Sequence, residues 1–96
     1  MEIIFTRQST TANMPIKMEF DVPGTEYLVK NFTDGDIYVA LKEESDKSKC
    51  VLIPSECSQI VIAGDESYVS SDGKGIVTII PEMASEKGVE VQCLKK

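Results

Sequence analysis

The sequence predicts an all-β domain: a small antiparallel β-sandwich of about seven or eight short strands, or alternatively a small β-barrel, with at most one short helix. Three features carry this expectation. Apolar runs of about four to six residues recur at intervals of about ten, and clusters of Gly, Pro, Asp, Asn and Ser separate them. Only one stretch, Pro81 to Gly88, carries helix signals. At 96 residues the chain forms one domain, 1–96, and a chain of this size buries about 60 to 65% of the surface its unfolded form exposes.

Taken in order, Ile3 to Arg7 reads as a short strand and Gln8 to Asn13 has loop composition. Ile16, Met18 and Phe20 alternate with Lys17, Glu19 and Asp21, the period of two of a half-buried strand, which Pro23-Gly24 ends. Tyr27 to Phe32 is the next strand. Asp34-Gly35 lies between it and Ile37 to Leu41, and this pair predicts a tight hairpin because Gly accepts positive φ at no steric cost. A charged loop, Lys42 to Lys49, leads to the strand Cys50 to Ile53. Pro54 then presets a reversal over Ile53 to Glu56, so a second hairpin is expected with Gln59 to Ile62. Ala63 to Glu66 closes that strand, and Ser70 to Gly75 is a turn between Tyr68-Val69 and Ile76 to Ile80. Pro81 to Gly88, with Pro first, an acidic residue next and Gly last, predicts one or two helical turns. The final strand, Gly88 to Leu94, sets Val89, Val91 and Cys93 on one side and Glu90 and Gln92 on the other.

Three strands fail to alternate. Cys50 to Ile53, Ile60 to Ala63 and Ile76 to Ile80 are apolar on both faces, a pattern that belongs where both faces are covered. A two-sheet domain this small has one interior. The surplus face therefore requires a cover, either a local segment or a partner protein, and the residues expected at such an interface are Val51, Leu52, Ile53, Ile60, Val61, Ile62, Val77 and Ile79.

The charge of −6, with basic residues scattered, argues against nucleic acid, whose phosphates require clustered Lys and Arg. The apolar run near the N-terminus is too short for a signal-peptide core, and no window approaches the roughly 20 apolar residues of a spanning helix. No membrane association and no signal-peptide secretion are expected. Three cysteines, Cys50, Cys57 and Cys93, form an odd set that suits a reducing compartment, and each lies in or beside an apolar run where a free thiol is commonly buried.

Reactive chemistry is sparse. With no His in the chain, Ser-His and Cys-His catalysis and typical zinc sites are excluded, and the cysteine spacing does not fit a zinc knuckle. Asp34 and Asp36 lack the further oxygen ligands of a calcium loop, and Gly73-Lys74-Gly75 lacks the remainder of a phosphate loop. Glu43-Glu44 and Asp65-Glu66 lie in segments where solvent keeps carboxylates ordinary. Tyr27, Tyr38 and Tyr68 offer rings that could stack on a ligand, though strand tyrosines more commonly pack. Asn31-Phe32-Thr33 fits a glycosylation acceptor, without weight in a chain with no export signal. No catalytic residue, cofactor or metal is expected.

The run Leu28-Val29-Lys30-Asn31-Phe32-Thr33-Asp34-Gly35-Asp36-Ile37-Tyr38-Val39, with Ile53-Pro54, Gln59 to Ile62 and Gly88 to Gln92, resembles a family of small proteins encoded by tailed phages and prophages of Gram-positive bacteria. Such proteins tend to be encoded among head and connector genes. The resemblance covers about half the chain and implies a non-enzymatic, virion-associated structural or assembly protein, located in the virion or the host cytoplasm. Its expected partners are further copies of itself or phage head and connector proteins. The alternative expectation is a β-sandwich module that binds a ligand, such as a host-surface glycan, at one end.

Overall fold

The computed structural model describes residues 5–21, 23–63 and 73–95. Within them the strands are β1 (Phe5–Thr10), β2 (Ile16–Phe20), β3 (Glu26–Asn31), β4 (Ile37–Ala40), β5 (Val51–Ile53), β6 (Ser58–Ile62), β7 (Gly75–Pro81) and β8 (Ser85–Lys95). They form two four-stranded sheets, ordered β1-β8-β3-β6 and β2-β7-β4-β5. Every pairing is antiparallel.

The pairs β1 with β8, β2 with β7, β3 with β6 and β4 with β5 describe one long antiparallel ribbon whose tip is the β4–β5 connection. That ribbon is rolled so that β8 also meets β3 and β7 also meets β4. The result is a jelly roll, the double-sheet form of the β-sandwich, rather than a closed barrel. Apart from β4 to β5, consecutive strands lie in opposite sheets.

This topology overturns both expected hairpins. β3 and β4 lie in different sheets, so Phe32 to Asp36 is a crossover. A type I′ turn needs positive φ at both central residues, and neither Asp34 nor Gly35 has it. Pro54 to Cys57 likewise carries the chain from β5 in one sheet to β6 in the other. The helix expected over Pro81 to Gly88 is absent: Pro81 ends β7 opposite Ile37, and β8 begins at Ser85. So short a helix would be marginal by itself, and here sheet pairing takes the backbone instead. β1 also continues through Thr10, into the stretch read as loop. The strand at Tyr68-Val69 and most of the turns at Ala63 to Glu66 and Ser70 to Gly75 lie outside the described residues.

The core lies between the sheets. β2 alternates as its sequence requires, with Ile16, Met18 and Phe20 inward, and Tyr27, Val29, Val89 and Val91 meet them from the first sheet. The Phe20 and Tyr27 rings pack at a tilt, with centroids 5.2 Å apart. Where these faces meet the crossovers, a polar side chain is buried. Asn31, at an inward position of β3, is 1% exposed. Its Nδ2 donates toward the carbonyls of Gly35 (2.9 Å), Ile53 (3.1 Å) and Pro54 (3.1 Å), and its Oδ1 accepts from the Thr33 N–H (2.9 Å) and Oγ1 (2.7 Å). Ser55 Oγ donates to the Thr33 carbonyl (2.6 Å), and the Asn31 N–H donates to the Cys57 carbonyl (2.9 Å). One side chain thus joins the β3–β4 and β5–β6 crossovers. Buried and fully engaged, it is no glycosylation acceptor in the folded chain.

The β1–β8 ladder breaks between Gln8 and Thr10, where Gly88 adopts φ +62. A β-carbon there would collide with the Gln8 carbonyl. Only glycine combines that conformation with so close a backbone approach.

Two substitutions test these constraints. Asn31→Ala removes the amide donor from three crossover carbonyls, of which Gly35 keeps Thr33 Oγ1 and Pro54 keeps the Cys57 N–H, and leaves the Thr33 N–H without its acceptor; urea unfolding is expected to show a loss of about 2–4 kcal/mol. A loss below about 0.5 kcal/mol would mean that water replaces the amide. Gly88→Ala is expected to cost more than Gly73→Ala, whose φ is +83 but whose surroundings are open; the latter carries only the left-handed penalty of about 1 kcal/mol. Equal thermal midpoints for the two variants would show that β1 yields freely.

Candidate protein interface

The outer face of the first sheet is built in rows that the strand register sets. One row is charged: Arg7 stands opposite Glu90, Glu90 opposite Lys30, and Lys30 opposite Ser58. The Glu90 carboxylate receives Arg7 Nη2 at 2.8 Å, Arg7 Nε at 3.1 Å and Gln92 Nε2 at 2.9 Å, with Lys30 Nζ at 3.5 Å. Although Glu90 is on an outward face, these neighbours leave its side chain 7% exposed, against 64% for Arg7. Hydrogen bonds from Gln92 and Arg7, aided by the Lys30 charge, hold its pKa down at about 2.

The next row is largely apolar. Phe5 stands opposite Gln92, Gln92 opposite Leu28, and Leu28 opposite Ile60. Beyond it Ile62 pairs with Glu26, and Leu94 sits at the bulge where β8 passes from Cys93 to Lys95. Phe5 (59%), Ile60 (50%), Ile62 (65%) and Leu94 (47%) are all exposed. Such a grouping marks a contact surface when it is continuous.

The second sheet solves the same problem locally. Its outer face is crossed by the loop 41–50, in which Lys47–Lys49 forms a turn of 3-10 helix capped by Asp46. Glu43 bonds Lys17 (3.0 Å), Thr78 Oγ1 donates to the Lys42 carbonyl (2.6 Å), and Lys47 Nζ lies 5.0 Å from the centre of the Tyr38 ring. Thr78 is buried under this loop, and Ile76 and Ile80 on the same face of β7 are buried too. The doubly apolar β7 therefore has both faces covered within the chain.

The eight residues expected at an interface divide accordingly. Val51, Leu52, Ile60 and Ile62 are exposed. Ile53, Val61, Val77 and Ile79 point into the core and are excluded from any surface. Exposed Leu52 lies on the second sheet opposite Tyr38, so it does not join the Ile60–Ile62 group. Phe5 and Leu94 were missed from the sequence. The outward period of Glu90, Gln92 and Leu94 was a usable signal for the second of these.

Other candidate groups are engaged structurally. Tyr27 is 2% exposed with its Oη accepting from the Gly24 N–H (2.8 Å), Tyr38 donates to Glu82 (3.1 Å), and Tyr68 lies outside the described residues. Glu44 accepts from the Ser45 and Asp46 N–H groups, while Asp65-Glu66 lies outside the described residues. Contrary to the expectation of burial, Cys57 is exposed and Cys50 and Cys93 are half-buried, because Cys57 falls in a crossover and the other two near strand ends. Among the described residues no three of His, Cys, Asp and Glu gather as metal ligands.

Glu90 makes stability depend on acid. Its folded pKa lies below its ordinary 4.5, so the native state binds fewer protons than the unfolded chain. The stabilisation is complete above about 4.5 and is lost as pH falls through about 2. The stability difference between wild type and Glu90→Gln, measured by urea midpoints, is expected to shrink across that window; parallel curves would show that the ion cluster contributes nothing. With this geometry in view, comparison of the chain with family models, curated proteins and solved structures finds no match.

Proposed function

We propose that the chain is a non-enzymatic structural or assembly protein of a phage particle, acting through protein–protein contacts made by the outer face and the β6 edge of its first sheet. The observation that carries this reading is the grouping of Phe5, Ile60, Ile62 and Leu94, exposed on one sheet, whereas on the other the chain's own loop covers β7 and Leu52 stands exposed on the edge strand β5. Jelly rolls occur in viral capsid and lectin domains, an analogy of fold and not of site. The resemblance of Leu28 to Val39 and the associated segments to phage proteins supports the same reading and supplies the particle as context. Of the tyrosines that the alternative of glycan binding would use, Tyr27 is in the core and Tyr38 is occupied by Lys47 and Glu82, while Tyr68 lies outside the described residues.

The test is cosedimentation of purified chain with the capsid and connector proteins encoded beside it. Binding that Ile62→Asp weakens at least tenfold, with the circular dichroism spectrum unchanged, is the expected result. Failure of the wild-type chain to bind any of these proteins would refute the reading.

A further inference from the structure

β6 is an edge strand, paired with β3 on one side and with no described strand on the other. Asn31 donates its N–H to the Cys57 carbonyl (2.9 Å), and Ala63 donates to the Thr25 carbonyl (2.8 Å). Main-chain directions alternate along an antiparallel strand. Gln59 and Val61 therefore turn their N–H and C=O groups toward β3, and Ser58, Ile60 and Ile62 turn theirs to the open edge. Proteins guard such edges with charge, proline or a bulge. The segment Ser58–Ile62 has no charged residue and no proline, and its register with β3 is unbroken from Glu26 opposite Ile62 to Lys30 opposite Ser58.

We propose that two copies of the chain associate by antiparallel pairing of β6 with β6 about a two-fold axis at Ile60, giving one continuous eight-stranded sheet. The pairing sets Ile60 against Ile60 and Ser58 against Ile62, so the residues with free main-chain groups meet one another and form about six hydrogen bonds. All these side chains share the outer face. In a chain of net charge −6, like charges meeting across a seam are the main obstacle to self-association. This seam carries none. One strand behind it, the Lys30 row of one copy is aligned with the Glu26 row of the other, opposite in sign. Self-complementarity in main-chain direction, neutrality and flanking charge makes a second copy the occupant of this edge. The inference names the partner of the surface proposed above and rests on that surface being a site of contact. A single strand pair buries less than the roughly 1,200–2,000 Å² of a standard interface, so the dimer is weak and concentration-dependent.

Sedimentation of the purified full chain from about 1 μM to about 1 mM is expected to show the mass doubling toward the upper end. Ile60→Lys puts two like charges at the axis and, since Ile60 is half exposed, leaves the core intact; it is expected to remain monomeric with a wild-type circular dichroism spectrum. In a background with Cys50, Cys57 and Cys93 replaced by Ser, Ile60→Cys is expected to cross-link under mild oxidation, because narrow antiparallel pairs set Cα atoms about 5.5 Å apart. Gln59→Cys, which faces Val61 of the other copy, is not. A wild-type chain monomeric at 1 mM, or equal cross-linking of the two cysteine variants, overturns the proposal. If the wild type is monomeric yet binds a particle protein through a surface that Ile60→Lys abolishes, the edge accepts a foreign strand; the dimer then falls and the assembly reading stands.

Discussion

The crossovers of the roll depend on one buried amide. A jelly roll passes the chain between sheets at most of its connections, and each passage brings main-chain carbonyls to the end of the core with no ladder to receive them. Asn31 answers this with both sides of its amide. It donates to carbonyls of two crossovers and accepts from the Thr33 N–H, while the single Thr33 hydroxyl proton is shared between Asn31 Oδ1 and the Gly35 carbonyl. Among the described residues no buried side-chain nitrogen or oxygen lacks a partner. A half-satisfied network at this depth would be worse than an apolar one, so its completeness makes the crossover conformation unique.

The two sheets treat their outer faces differently, and among the described residues the difference follows from the path of the β4–β5 connection. The β4–β5 connection stays within the second sheet and is long enough to fold back across it, so the charged residues Lys42, Glu43 and Lys47 become a cover. β7 can then carry apolar side chains on both faces, with Thr78 bonded to the loop. The first sheet has no equivalent among the described residues. Its middle is shielded by the Arg7–Glu90–Lys30 cluster, and at the β6 edge its apolar side chains meet solvent. The contrast locates the contact surface more sharply than hydrophobicity alone.

Much of the strand inventory was legible because local pattern suffices to specify it. The period of two in Ile16 to Phe20, the apolar run Val51 to Ile53 and the β-branched run Ile76 to Ile80 each mark a strand wherever it later pairs. The candidate surface was half legible. Apolar composition identified Ile60 and Ile62 together with Val61, but side chains alternate, and only the position of β6 at an edge decides which face meets water. Phe5 lay in a short strand without any sign that its partner Gln92 would leave it uncovered.

An all-β domain, the placement of most of its strands and the lack of a histidine for acid–base or metal chemistry are written in the amino-acid order. Those properties reside in residue type and short-range period. How the strands pair emerges only in the folded chain. Asp34-Gly35 and Pro54 mark chain reversals, but a reversal within a sheet and a passage between sheets use similar turn residues. What separates them is a set of distant partners, the carbonyls of Ile53 and Pro54 reaching Asn31 and the backbone of Gln8 pressing on Gly88, which exist only once the ribbon has rolled.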